Sequence, residues 1–319
     1  MRVRFWGVRG SIPTPLSSVQ IQNRIAAVVQ RITARDVVSA DSREKFLASL
    51  PEWLFGTVGG NTACVEVENA NGDCIILDAG SGLRELGADI DRREGFENGK
   101  TYHIIFSHFH WDHIQGLPFF NQAYKTNNRI IFYSTNPDFE NILSAQMTHP
   151  YFPIPMLGPG GFGAAMKFIY LDPDTTKFRI GTSVVGWYRV NHPGGCTAYS
   201  IQEKGKKIIY CTDTEISRDN FEQNEENRSF FGNADILIID AQYTVSEASR
   251  KKGWGHSAFS LAVDFALFWQ IKKLVFFHHE PRYSDKKLYT LKQSAEWHRG
   301  ASGNNLEIEI AQEGLDLIV

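Results

Sequence analysis

No apolar run in this chain approaches the roughly 18 consecutive residues that a bilayer-spanning helix requires, so no membrane partner is expected. The amino terminus, MRVRFWGVRG, reads as a strand rather than a signal peptide. Together these predict a soluble, cytoplasmic protein. An excess of one charge is also missing: the formal net charge is −3 over 319 residues, which supplies no general attraction to nucleic acid or anionic lipid. A small, compact substrate is the default. Cysteine is scarce, with 4 residues, Cys64, Cys74, Cys196 and Cys211. They lack CxxC spacing and mostly sit in strand-like segments, where buried thiols are common, so no disulfide is required. Long linkers and low-complexity tracts are absent as well, which favours one domain over residues 1–319.

What the chain does have is a concentration of ligand-type side chains in SHFHWDHIQG, Ser107 to Gly116. His108, His110, Asp112 and His113 fall within six residues, directly after the apolar run His103 to Phe106. Imidazoles and a carboxylate at the end of a buried strand need partners once water is removed, and metal ions are the obvious ones. His108 and His110 alternate along an extended segment and point the same way, whereas Asp112 and His113 belong to the following turn. The spacing suggests two adjacent metals served by one loop.

This HxHxDH run resembles the metallo-β-lactamase-fold hydrolases, in which the motif follows a core strand and further ligands arrive singly from later strand ends. The resemblance covers nearly the whole chain. It identifies His192 in VNHPGG, Asp213 in IYCTDTE and His278 in LVFFHHEPRY as those ligands, each after a strand-like run. His278 and His279 are adjacent, and only one can project in the ligand direction; His278 is the expected ligand. Asp78, in the loop DAGSG, resembles a residue that braces the ligand loop beneath the metals, although a plain turn-forming role is equally open.

Along the chain, strands are predicted at Arg2 to Trp6, Ala63 to Glu68, Cys74 to Leu77, Arg129 to Tyr133, Val184 to Asn191, Ala198 to Gln202, Lys207 to Cys211, Ile236 to Ile239 and Leu274 to Phe277. Between the first two lies a helical insertion at about residues 16–56. There Ile21, Ile25, Val28 and Ile32 have helical spacing, and a second helix fits Ser42 to Leu50 with Asp41 and Glu44 as its capping pair and Pro51 ending it. Its apolar stripe serves either packing or a lid or dimer contact. The segment from Gln146 to Gly163 is dense in proline, glycine and aromatics, which predicts an ordered loop; Tyr151, Phe152 and Phe162 either stack on a flat ligand or fold back to seal it. Ser257 is the predicted cap of a helix whose apolar face holds Ala258, Leu261, Ala262, Phe265 and Trp269. The predicted fold class is α/β: a four-layer αββα sandwich of two mixed β-sheets, the metallo-β-lactamase fold.

The tail sharpens the resemblance. Asp240-Ala241 at a strand end, Gly255-His256-Ser257, a helix, and His278 before Pro281-Arg282-Tyr283 are similar to the phosphodiesterase branch, which includes RNase Z and cyclic-nucleotide phosphodiesterases. Asp213 stands where antibiotic-hydrolysing relatives carry cysteine, and His110 where di-iron oxidoreductases carry glutamate. The resemblance implies that His108, His110 and His192 hold one divalent metal, Asp112, His113 and His278 a second, and that Asp213 bridges them. Zn²⁺ is the first expectation, and Mn²⁺ or Fe²⁺ suit the same ligands. It further implies in-line attack on a phosphodiester by a metal-bridging hydroxide, with Asp112 accepting the water's proton and His256 contacting the phosphate and protonating the leaving group. The bland alternative for His256 is a helix-start histidine. Hydrolysis of a thioester, lactone or amide at the same metals, or a non-enzymatic scaffold, also remains open. Within the phosphodiesterase reading a small nucleotide is favoured over RNA 3′-processing, because no long glycine-rich basic arm is found. A homodimer is the expected assembly.

Overall fold

The computed structural model describes residues 1–94, 99–300 and 305–319. Six strands come first: β1 (Arg2–Gly7), β2 (Cys64–Glu68), β3 (Cys74–Leu77), β4 (Thr101–Ile105), β5 (Arg129–Ser134) and β6 (Ala165–Tyr170). Then follow β7 (Lys177–Ile180), β8 (Ser183–Val190), β9 (Cys196–Glu203), β10 (Lys206–Cys211), β11 (Ile236–Asp240), β12 (Lys273–Phe277), β13 (Glu307–Ile310) and β14 (Asp316–Ile318). They form two seven-stranded sheets, ordered β14-β1-β2-β3-β4-β5-β6 and β13-β12-β11-β10-β9-β8-β7.

The period-2 alternation of strands explains how the layers stack. In β11, Ile236 and Ile238 join Val65, Leu77 and Ile105 of the first sheet in the core between the sheets. Leu237 and Ile239 point the other way, onto Ala262, Val263, Phe265 and Ala266 of a helix at Phe259–Phe268. The outer face of the first sheet, with Ile76, Ile104 and Phe132, is covered by Leu83, Leu86 and Ile90 of a helix at Gly82–Glu94. This is the αββα order. Strands buried on both faces must be apolar throughout, and each fully buried Ile or Leu stabilises the fold by about 1.5–3 kcal/mol. Ile238→Ala, in the middle of that double layer, would cost about 2–5 kcal/mol.

Strand direction determines where the loops gather. β3 to β6 are mutually parallel, as are β10 to β13. β8 is antiparallel to β9, which is antiparallel to β10, so β8 runs with the second parallel set. The carboxyl ends of β4, β8, β10 and β12 carry the ligand-type residues.

Between β1 and β2 lie helices at Ser18–Val29, Ala40–Ser49 and Glu52–Phe55. Ser17 caps the first, in a reciprocal box with Gln20. Its apolar residues Val19, Ile21, Ile25 and Val29 are nonetheless exposed, so helical spacing here does not signal burial. The second helix begins earlier than predicted and is capped by Ser39 with Ser42, not by Asp41 and Glu44. The short serine hydroxyl reaches the Ser42 amide at 3.0 Å, whereas Asp41 lies inside the first turn and pairs with Lys45 at 2.7 Å. Ser257 does not cap the helix at Phe259–Phe268 either; Ala258 holds that position. The Ser257 hydroxyl instead donates to the Thr214 carbonyl (2.6 Å) and accepts from the Ile216 amide (2.9 Å), tying two loops together.

Residues 146–164 contain neither helix nor strand. Phe162 is buried edge-on to Tyr124 (5.0 Å), Phe152 packs edge-on to Phe119 (5.6 Å), and Tyr151 is 76% exposed. Phe162 and Phe152 therefore seal the loop, and Tyr151 alone of the three projects freely.

Candidate metal centre

β4 ends at Ile105, and the chain turns through Ser107 to His113 under the control of one buried carboxylate, Asp78. Asp78 Oδ1 accepts the Ser107 amide at 2.7 Å; Oδ2 accepts the Ser107 hydroxyl at 2.6 Å and the Tyr210 hydroxyl at 2.8 Å. His113 Nδ1 lies 2.8 Å from the same Oδ2. Nδ1 donates to this carboxylate, which aims Nε2 at the cluster. Burial works to lower the His113 pKa, but Asp213, Asp112 and Asp78 outweigh it and hold it well above its usual value, so an ion bound at Nε2 would displace a proton. Asp78 thus braces the loop as well as turning the backbone, with φ at 60°.

The predicted positions come together in two groups. His108, His110, His192 and Asp213 form one; Asp112, His113, Asp213 and His278 form the other, with ligand atoms of each group within 4.8 Å of one another. Asp213 is common to both. His278 Nε2 is 3.1 Å from both Asp112 Oδ2 and Asp213 Oδ1, and His113 Nε2 is 3.2 Å from Asp213 Oδ1. His192 donates from Nδ1 to the Gly255 carbonyl (3.0 Å), which again leaves Nε2 toward its group. His279 stays outside: its Nε2 donates to the Ala311 carbonyl at 2.8 Å, and burial followed by the charge of Arg9 lowers its pKa to about 3.

The electrostatics suit cation binding. Burial works to raise the pKa of Asp112, but the neighbouring His113 and His278 hold it far below the usual carboxylate range; Asp213 behaves in the same way. Burial pushes His108 and His192 down, keeping them neutral as metal ligation demands. His108 Nε2 and His113 Nε2, the nitrogens turned toward Asp213, are buried without a hydrogen-bond partner. Orphaned imidazole nitrogens beside buried carboxylates are costly unless a cation completes them. The residues therefore fit a pair of divalent ions in N/O ligand sites.

Close packing enforces the arrangement. Asp213 and His278, like Asp78, have positive φ values, 45° and 57°, unusual for residues with side chains and concentrated here at the site. Gly10 lets the first loop pass over His278; a Cβ there would lie 2.5 Å from the imidazole. The next residue, Ser11, donates its amide to Asp112 Oδ2 at 2.7 Å. Nothing in the local sequence signals this contact, because it bridges 101 positions.

His256 lies at the edge of both groups. Its ring stacks on His278 at 5.0 Å and stands 5.3 Å from His192. Nδ1 is 2.6 Å from the fully buried Asp240 Oδ2. Burial alone would lower the His256 pKa, but Asp240 outweighs it and raises the value to about 9. The sequence places Asp240 at a strand end but does not reveal this partnership. The signal was available: a carboxylate closing an otherwise apolar five-residue buried strand.

A family model described as "Beta-lactamase superfamily domain" matches residues 74–279. Ribonuclease Z of Prochlorococcus marinus strain MIT 9301 is 34% identical over 87 residues, 27% of this chain and 26% of that protein. The chain thus aligns with about a quarter of the length of the curated relatives it matches. Among solved structures, Bacillus subtilis YhfI, described as a metallo-beta-lactamase fold protein, aligns with a TM-score of 0.63 at 17% identity, covering 99% of this chain and 98% of that one. The short form of human tRNase Z gives 0.59 at 18% identity, covering 100% and 99%. A diphosphatase of the PhnP family gives 0.62 at 16%, covering 100% and 97%. The matched domain runs from β3 through the whole histidine and aspartate cluster to His279, and the two-sheet fold is shared end to end: the chain belongs to the metallo-β-lactamase superfamily.

Proposed function

We propose that this protein is a binuclear metal-dependent phosphodiesterase acting on a small nucleotide or cyclic phosphodiester. The observation that carries this reading is the Asp240–His256 pair beside the two ligand groups, because a protonated imidazole there suits phosphate binding and leaving-group protonation. His108, His110 and His192 would hold one ion, Asp112, His113 and His278 the other, and Asp213 both. Zn²⁺ is the proposed metal, with Mn²⁺ or Fe²⁺ accepted by the same donors. The ions supply Lewis acidity that neutralises charge on a phosphoryl group and makes the attacking water more acidic.

The chain's own groups do the rest. Asp112 engages the Ser11 amide and His278 through Oδ2, and no hydrogen bond within the described residues uses its Oδ1, so Oδ1 would take the proton of the attacking water. His256, with Nδ1 committed to Asp240, would donate from Nε2 to the departing oxygen. Residues 1–319 act on this reading as one domain, with the helices between β1 and β2 as an insertion at about 16–56. No helix of the described residues is long and apolar enough to cross a membrane. Cytoplasmic location and a homodimer complete the proposal.

RNA 3′-processing is the second reading, favoured by the similarity to ribonuclease Z. The direct test is hydrolysis of bis(p-nitrophenyl) phosphate before and after chelation, with Zn²⁺ and Mn²⁺ restored and metal content measured on the same sample. Metal-restorable turnover is expected at two ions per chain. A dimetal protein that leaves phosphodiesters intact but opens lactones or thioesters would overturn the proposal, and cleavage of precursor tRNA in preference to mononucleotides would select the second reading.

A further inference from the structure

A cavity of about 370 Å³ opens beside His108 and His110, in the cleft between the end of β5 and the β8–β9 hairpin. Its size is that of a small-ligand site, and none of the residues that line it is a carboxylate. Its one cation is Arg189, the cross-strand neighbour of Thr197. Arg189 is solvent-exposed at the cavity mouth, and its guanidinium has no hydrogen bond or ion pair within the described residues. On the opposite wall, Asn136 uses Oδ1 to accept the Asp138 amide at 2.9 Å. That bond turns the Asn136 NH₂ away from its own backbone and leaves its two donors unspent. Thr135 and Thr197, hydroxyl to hydroxyl at 2.8 Å, join the two walls.

We propose that this cavity is a subsite for a second phosphoryl group of the substrate, held by Arg189 and Asn136 while the scissile phosphate lies at the metal centre. A guanidinium matches phosphate geometry with two parallel N–H donors, and an unpaired one in a carboxylate-free cavity has no intramolecular competitor for an anion. His108 and His110 line the same cavity, so a ligand within it adjoins the metal groups without displacing Asp112 or His256. The proposal rests on the phosphodiesterase reading and narrows it: the substrate carries a further phosphate, as a terminal monoester or as the next linkage of an oligonucleotide.

Binding of product-like ligands tests it without turnover. Calorimetry on the Zn²⁺-loaded protein would compare thymidine 3′,5′-bisphosphate with thymidine 3′-phosphate and thymidine 5′-phosphate. The bisphosphate should bind on the order of tenfold more tightly than either monophosphate, as a charge-assisted contact warrants. Arg189→Ala should abolish that advantage and Arg189→Lys retain part of it. Asn136→Asp keeps the acceptor used by Asp138 and replaces the donors with a repelling oxygen, so it too should abolish the advantage while thermal stability is preserved. An equal affinity for all three ligands, or an advantage that survives Arg189→Ala, overturns the proposal. A dinucleotide bearing its second phosphate as a diester separates the sources: an equal gain indicates an oligonucleotide, and no gain beyond the monophosphates indicates a terminal monoester. Failure of the phosphodiesterase reading would appear separately, as absent turnover in a protein that still distinguishes these ligands.

Discussion

Asp240 Oδ2 lies 2.6 Å from His256 Nδ1, and the carboxylate is fully buried while the imidazole keeps partial access to solvent. The pair fixes which nitrogen His256 presents to the site and favours its protonated form. Asp240 is itself anchored, since its Oδ1 accepts the Gln242 amide at 3.0 Å.

His256→Ala should lower turnover about 10²–10⁴-fold, the usual worth of a general acid, with metal content unchanged. The loss should be greater for alkyl phosphodiesters than for p-nitrophenyl esters, because p-nitrophenolate leaves without protonation. Asp240→Asn preserves the Gln242 contact and should show the same leaving-group dependence in weaker form. Metal loss in His256→Ala, measured by elemental analysis, would sink the assignment.

Asp78→Ala removes the acceptor of Ser107 and Tyr210 and the partner of His113 Nδ1, all in a fully buried setting. Each buried donor left unsatisfied costs about 1–3 kcal/mol, so a clear fall in melting temperature is expected. Metal affinity, read by competition with a chromogenic chelator, should weaken roughly 10–100-fold as the imidazole loses its orientation. Wild-type affinity in that variant would show that Asp78 serves only the turn.

Gly10→Ala puts a methyl group 2.5 Å from the His278 ring and should displace it. Its metal content should fall along with that of His278→Ala. His279→Ala should retain both ions but lose stability, since it deletes the buried bond to the Ala311 carbonyl. The reverse pattern, with two ions in His278→Ala and fewer in His279→Ala, would exchange the two assignments.

Chelation should lower the melting temperature, and added Zn²⁺ should restore it in a concentration-dependent way. An ion that binds only the folded state stabilises it by about 2.7 kcal/mol at a hundredfold excess over its dissociation constant. Asp112 Oδ2 and Asp213 Oδ1 each lie 3.1 Å from His278 Nε2, so an ion bound beside them would gain both carboxylates at once. Insensitivity of the melting temperature to chelator and to Zn²⁺ alike would mean that these donors do not hold an ion tightly.

The αββα layering was legible in the sequence because buried strands must be apolar on both faces, and runs such as Ile236 to Ile239 and Leu274 to Phe277 have no other economical use. The edge strands β6, β7, β13 and β14 were not, because they are partly exposed and carry mixed residues such as Lys167, Lys177 and Glu307. In the first inserted helix the opposite problem arises: Ile21 and Ile25 repeat as a core face would, yet stand exposed. Periodicity reports the helix, and only packing reports what covers it.

For the site, sequence alone determined the ligand chemistry, since four histidine and aspartate side chains within six residues after a buried strand restrict what can neutralise them. Tertiary structure decided the partnerships. Asp78 with Tyr210, Ser11 with Asp112 and Asp240 with His256 join residues that are distant in the chain, and one cavity gathers Arg189 and Asn136 beside the loop histidines. Such contacts depend on strand direction and on the meeting of loops at one end of two sheets, and local spacing carries no record of either.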